Sequence, residues 1–199
     1  MLISHRGNNN HDYKENTQSA IAAVLKEDYI DGVEFDIRLT KDNKIVLCHN
    51  FIHNGKIIKY TNAKELSLDL LTIVLKNINT RKIILIEIKD NNKKIVDILY
   101  KIIKRYNNIN FYFQSFYKEV LTYLKSKNSK LKVGIVTFNS NVNIKGLDFI
   151  SIYFKNYKNN RLMTFLWTIN NLKEIKKHQQ LYIITDVAYK INTQKTVTD

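Results

Sequence analysis

Lys82-Ile83-Ile84-Leu85-Ile86-Glu87-Ile88-Lys89 decides the fold. Side chains alternate across a strand, yet Ile83 to Ile86 offers no polar face. Such a segment must be buried on both sides, as in a parallel sheet covered by helices. Comparable apolar runs occupy 2–4, 32–39, 110–113, 132–138, 147–153, 161–169 and 181–185, while 44–48 reads as the return arm of a hairpin turning at Asp42-Asn43. Without that arm, eight strands remain. Helical spacing appears between them. It is clearest over 91–106, where Ile95, Ile98, Leu99, Ile102, Ile103 and Tyr106 recur on one face. Residues 17–26, with Asn16 or Thr17 as N-cap, and residues 67–76, 118–127 and 170–178 are further helix candidates. Eight strands alternating with helices predict a compact (β/α)8 TIM barrel filling a single domain over 1–199. The connections at 139–146 and 155–160 are too short for full helices, so some helices are shortened. An open doubly wound sheet is the alternative architecture.

Composition narrows the functional classes. No apolar run approaches the roughly 18 residues of a membrane span, and the first strand begins at Leu2, leaving no room for a signal peptide. Cys48 has no partner for an internal disulfide, which fits a reducing compartment, so a cytoplasmic location is expected. The formal charge is +14, from 32 Lys and Arg against 18 Asp and Glu. Lysine, asparagine and isoleucine are abundant throughout and proline is absent, the stamp of an AT-rich coding sequence. Lysines such as Lys93 and Lys94 therefore read as helix coating. Nucleic acid is set aside as a partner, peripheral contact with an anionic membrane is retained as an expectation, and no obligate protein partner is evident.

Polar residues fall where strands end. Glu34 and Asp36 are two apart and share one strand face. His5 and Arg6 follow the first strand, His49 closes the hairpin, and Glu87 and Lys89 end the third barrel strand. Gln114, Trp167 to Asn170, and Asp186 end later ones. Paired buried carboxylates beside two imidazoles are costly unless a cation or substrate compensates them. The outline is that of a metal-assisted acid–base site at the C-terminal face of a barrel. His11 reads as a solvated loop residue, His53 as a neighbour of the site, and His178 as a helix-end cation. Cys48 reads as strand filler.

His5-Arg6-Gly7, Glu15-Asn16-Thr17, Gly32-Val33-Glu34-Phe35-Asp36-Ile37, Thr40-Lys41-Asp42 and Val46 to His49 resemble the glycerophosphodiester phosphodiesterase family. Glu87-Ile88-Lys89, Trp167-Thr168-Ile169-Asn170 and Ile183-Ile184-Thr185-Asp186 are similar to its later motifs, in the same order. The resemblance implies a TIM barrel of lipid and glycerol metabolism that hydrolyses a small glycerophosphodiester to glycerol 3-phosphate and an alcohol. It implies His5 and His49 as the acid–base pair. Glu34, Asp36 and Glu87 would be ligands of one divalent ion, Mg²⁺ or Ca²⁺. Arg6 and Lys89 would be phosphate ligands, Glu15 and Asn16 would shape the substrate site, and Trp167 would stand at its mouth.

Two departures accompany the resemblance. Asn50 stands where the family usually has aspartate, and the stretch between His49 and Glu87 lacks the inserted segment many members carry. The spider-toxin phospholipase D enzymes share a related layout, which makes lysophospholipid or sphingolipid cleavage at a membrane the alternative activity. A catalytically inactive phosphate-binding barrel is the alternative from another class.

Overall fold

The computed structural model describes residues 1–8, 13–159 and 161–195. His11 lies outside the described residues. In chain order the elements are β1 (Leu2–Ser4), α1 (Gln18–Leu25), β2 (Gly32–Leu39), β3 (Ile45–Leu47), β4 (Ile52–His53), β5 (Lys56–Ile57), α2 (Leu71–Lys76), β6 (Ile83–Ile88) and α3 (Lys93–Ile103). They continue with β7 (Asn110–Ser115), α4 (Lys118–Lys127), β8 (Lys132–Thr137), β9 (Phe149–Tyr153), β10 (Met163–Trp167), α5 (Leu172–Lys177), β11 (Tyr182–Thr185) and α6 (Ala188–Lys195). The sheet runs β1-β11-β10-β9-β8-β7-β6-β2, all parallel, and β1 also pairs with β2, which closes an eight-stranded barrel. β3 adds to β2 antiparallel, as the hairpin reading expects. The compact TIM barrel is therefore observed, and the open sheet is excluded by the β1–β2 pairing.

Alternation divides each strand between two cores. Outward residues such as Val33, Phe35, Ile84 and Ile86 pack against the helices, whereas Ile3, Ile83, Leu85, Tyr112, Phe149, Phe165 and Ile184 fill the barrel interior. Gly134 makes that filling feasible, because a Cβ there would lie 2.1 Å from the ring of Phe149. Thr17 caps α1, its Oγ1 accepting from the Ala20 N–H, and the Asn92 Oδ1 caps α3 by accepting from the Ile95 N–H.

The shortened helices are observed too. Among the described residues, no α-helix links β8 to β9 or β9 to β10. The helix expected over 67–76 begins only at Leu71. Ser67 adopts a left-handed φ of 50°, and a bridge from Val46 to Leu70 holds the preceding residues extended. The two-residue strands β4 and β5, and α6, were not legible as periodic segments, being too short or too polar to carry a pattern. No helix among the described residues is long and apolar enough to cross a membrane.

Candidate active site

The C-terminal ends of the parallel strands enclose a cavity of about 280 Å³ lined by His5, Arg6, Glu34, Asp36, His49, Glu87, Lys89, Gln114 and Trp167, with Phe116, Phe138 and Val136 on the apolar side. Strand register builds its acidic floor. Asp36 of β2 stands beside Glu87 of β6, and Glu87 beside Gln114 of β7. Glu34, Asp36 and Glu87 are buried, with oxygens within 4.8 Å of one another.

Two cations partly balance the three carboxylates. The Lys89 Nζ donates to Glu87 at 2.6 Å and lies 3.5 Å from Asp36. The Arg6 Nε lies 3.4 Å from Asp36. Glu34 has less: its Oε2 accepts the Arg6 backbone N–H at 3.2 Å, and its buried Oε1 has no hydrogen-bond partner. Burial, then Asp36 and Glu87, push the Glu34 carboxyl well above the usual carboxylate range. Burial and then Asp36 raise Glu87, against the pull of Lys89. Burial disfavours the Lys89 and Arg6 cations, but the surrounding carboxylates outweigh it and both are held above their ordinary values.

This set fits a hard divalent cation: an all-oxygen donor set, two carboxyls held above their ordinary range, and one buried oxygen left unpartnered. The coarse expectation of an acidic metal-ready cluster is therefore met.

The two imidazoles are anchored differently. The His5 Nδ1 sits 2.6 Å from Asp186 Oδ1, and the other Asp186 oxygen accepts from Asn170 Nδ2 at 2.7 Å. The His49 Nδ1 instead meets Asn50 Oδ1 at 2.8 Å. Burial is the main influence lowering the His49 pKa, and Lys89 and Arg6 add to it against Asn50 and Asp36.

Glu15 and Asn16 do not line the cavity. Glu15 is half exposed and accepts from Arg6 Nη1 at 2.9 Å, whereas Asn16 exchanges two bonds with Asp36, one to the side chain and one from the backbone N–H. They touch the site only through Arg6 and Asp36, because Arg6 turns left-handed (φ 54°) and its carbonyl accepts from the Asn16 N–H. That backbone turn directs the Arg6 side chain into the cavity while the chain behind it folds back. His53 also lies off the cavity, His178 ends α5 near Glu174, and the Cys48 thiol is buried and raised by burial.

Three supporting residues carry no role in the sequence reading: Asp186, Asn170 and Arg38. The first two were visible only as polar strand ends. Arg38 continues the Glu34, Asp36 row at the same two-residue spacing, which was its signal. Its guanidinium donates twice to the His49 carbonyl, at 3.0 and 2.7 Å, and once to Asp90 at 2.9 Å. It thereby fixes the backbone that carries His49.

Fold and site together define the class: a TIM barrel whose C-terminal mouth combines two imidazoles, a buried acidic cluster and two cations suited to an anion. Residues 5–72, the segment carrying His5, Glu34, Asp36 and His49, match the Glycerophosphoryl diester phosphodiesterase family, the family that the motifs resemble. No curated protein matches the chain. Among solved structures, a glycerophosphodiester phosphodiesterase from Parabacteroides distasonis superposes with a TM-score of 0.83 at 19% identity, covering 98% of this chain and 97% of the other. One from Thermotoga maritima gives 0.78 at 23% identity, with 97% of each chain covered. An Oleispira antarctica phosphodiesterase in complex with the product sn-glycerol-3-phosphate gives 0.83 at 16% identity, covering 97% and 95%. At these identities the structures establish a common fold.

Proposed function

We propose that this chain is a phosphoric diester hydrolase that converts glycerophosphodiesters to glycerol 3-phosphate and an alcohol. The observation that carries the reading is the convergence of His5, His49, Arg6 and Lys89 around the Glu34–Asp36–Glu87 cluster in one cavity, within a barrel whose first third matches the phosphodiesterase family. The product complex of the Oleispira relative, alike in fold, supports the same small-molecule substrate class.

A phosphodiester is anionic, so the site must offset its charge before a nucleophile approaches phosphorus. Arg6 grips phosphate oxygens through its planar fork and Lys89 adds a point charge. Glu34, Asp36 and Glu87 would hold one divalent ion, Mg²⁺ or Ca²⁺, which would supply polarisation of the phosphoryl oxygen and neutralisation of developing charge. One imidazole accepts a proton from the attacking hydroxyl or water, and the other protonates the leaving oxygen. Asp186 and Asn50 occupy the Nδ1 atoms of His5 and His49 respectively, leaving each Nε2 for that exchange. Glu15 and Asn16 hold Arg6 and Asp36 in place, and Trp167 with Phe138 supplies the apolar wall at the mouth.

The test is release of glycerol 3-phosphate from glycerophosphocholine and glycerophosphoethanolamine in Mg²⁺, Ca²⁺ or EDTA, beside His49→Ala. Expected is metal-dependent turnover, reduced by about 10²–10⁴-fold in the variant. Choline released from lysophosphatidylcholine in its place would favour the phospholipase D-like reading. Silence on every substrate would favour a phosphate-binding barrel without turnover.

A further inference from the structure

Four of the large apolar side chains left exposed lie close together in the chain. Phe51 and Tyr60 are 60% and 65% exposed, and Ile52 and Ile57 are 43% and 37% exposed. All four sit in the hairpin region that follows β2 and β3, on the rim around the catalytic mouth. Ile52 and Ile57 stand directly opposite one another in the β4–β5 ribbon and so project from the same side of it. Asn54 and Gly55, both at positive φ, form the tip. The base of the hairpin is firm: Ile58 is buried with Val46, Cys48 and Leu66 in a cluster of their own. The outward apolar side is thus held in place by a packed inner side.

Beside this hairpin runs a groove of about 670 Å³, lined among others by Lys41, Lys59 and Lys94 with Phe51, Ile57 and Tyr117, and meeting the catalytic cavity at Lys89. Its single acidic lining residue among those described is Asp90, already paired with Arg38 at 2.9 Å. The lysines therefore leave the rim with a net positive field.

We infer that this rim docks on an anionic phospholipid surface, with Phe51, Ile52, Ile57 and Tyr60 entering the headgroup layer and Lys41, Lys59 and Lys94 facing lipid phosphates. Aromatic and branched apolar side chains beside lysines match the interfacial region, where one end of each group is apolar and the other wet. A second copy of this chain fits less well, because symmetric pairing would bring like-charged lysine sets together. Docking in this manner points the catalytic mouth at the bilayer. The inference goes beyond the hydrolytic reading and does not depend on turnover.

The test is sedimentation of the full chain with vesicles of phosphatidylcholine alone, or of phosphatidylcholine with phosphatidylglycerol. Binding is expected to the anionic vesicles at low salt, and its loss near about 1 M salt, where the Debye length is about 3 Å. Each lysine contributes about fivefold, so Lys41→Gln with Lys59→Gln should weaken binding about 25-fold. Phe51→Ser with Tyr60→Ser should lower the bound fraction at every lipid concentration. Melting temperature and hydrolysis of a soluble glycerophosphodiester should be unchanged in both double variants, which separates loss of docking from loss of fold or of the active site. Absence of wild-type binding to anionic vesicles would overturn the inference. So would full retention by the Phe51→Ser, Tyr60→Ser variant, or a dimer in solution abolished by those same substitutions.

Discussion

Glu34→Gln should raise the stability of the metal-free protein while greatly weakening its response to divalent cations. In the metal-free site the three carboxylates present oxygens within 4.8 Å of one another, and Glu34 is the one without a Lys or Arg side chain in contact. At that separation and an effective dielectric near about 20, each ionised pair costs about 3 kcal/mol, of which partial protonation relieves much. A residual of about 1–2 kcal/mol corresponds to a few degrees, since a chain of this length shifts by about 2–4 °C per kcal/mol. Gln can still accept the Arg6 N–H, and its amide can donate toward Asp36 or Glu87. Wild type held at about 100 times its Kd for Mg²⁺ or Ca²⁺ should gain about 2.7 kcal/mol, and the variant far less. The pH dependence follows from the raised Glu34 and Glu87 carboxyls. A group whose folded pKa lies above its unfolded value of about 4.3 contributes stability that is complete below that value and is lost as pH rises through the folded one. In EDTA, wild-type melting temperature should therefore fall on going from mildly acidic to neutral pH. Divalent ions should reverse that slope, and Glu34→Gln should flatten it. The assay is thermal denaturation followed by circular dichroism across pH, with EDTA or millimolar metal. A wild-type melting temperature indifferent to metal, together with a destabilised Glu34→Gln in EDTA, would refute the assignment of this cluster as a cation site.

Other predictions concern the groups around it. Asp186→Asn should lower kcat by less than the 10²–10⁴-fold typical of a whole acid–base group, with KM little changed and one limb of the pH–rate profile displaced, because it removes the charge 2.6 Å from His5 while keeping a hydrogen bond. An unchanged profile would mean that Asp186 serves only the fold. Asn50→Asp places a carboxylate against His49 Nδ1 and should move the limb that reports His49 upward by about 1–2 pH units, since His49 is now held below its ordinary value mainly by burial. Steady-state kinetics across pH decides it, and no movement would place that limb on another group. Gly134→Ala forces a methyl to within 2.1 Å of Phe149 and should cost about 1–3 kcal/mol or more, read as a lower urea midpoint. An unshifted midpoint would show that the barrel interior yields more easily than its packing suggests.

Much of the barrel was legible because burial leaves a plain mark on strands. Ile83-Ile84-Leu85-Ile86 has no polar face, and the strand it predicts is buried at every position. Ends shifted where tertiary contacts override pattern: the helix expected from residue 67 waits until Leu71 because β3 recruits the residues between. Site residues on strands were legible for a related reason. A two-residue spacing such as Glu34 to Asp36 assigns a common face whatever the neighbours are. Residues in the loop after β1 had no such guide, and the contacts by which Glu15 and Asn16 reach the site, to Arg6 and Asp36, came only from the structure.

The sequence by itself determined the eight-strand alternation, the row of carboxylates on β2 and the presence of two histidines near strand ends, because these follow from period and local chemistry. Only the tertiary structure decided which groups meet. Closure through the β1–β2 and β1–β11 pairings brings His5 against Asp186, 181 positions away in the chain. The β2–β6 register sets Glu87 beside Asp36. Such distances depend on strand order and shear, which are properties of the closed sheet that no single segment encodes.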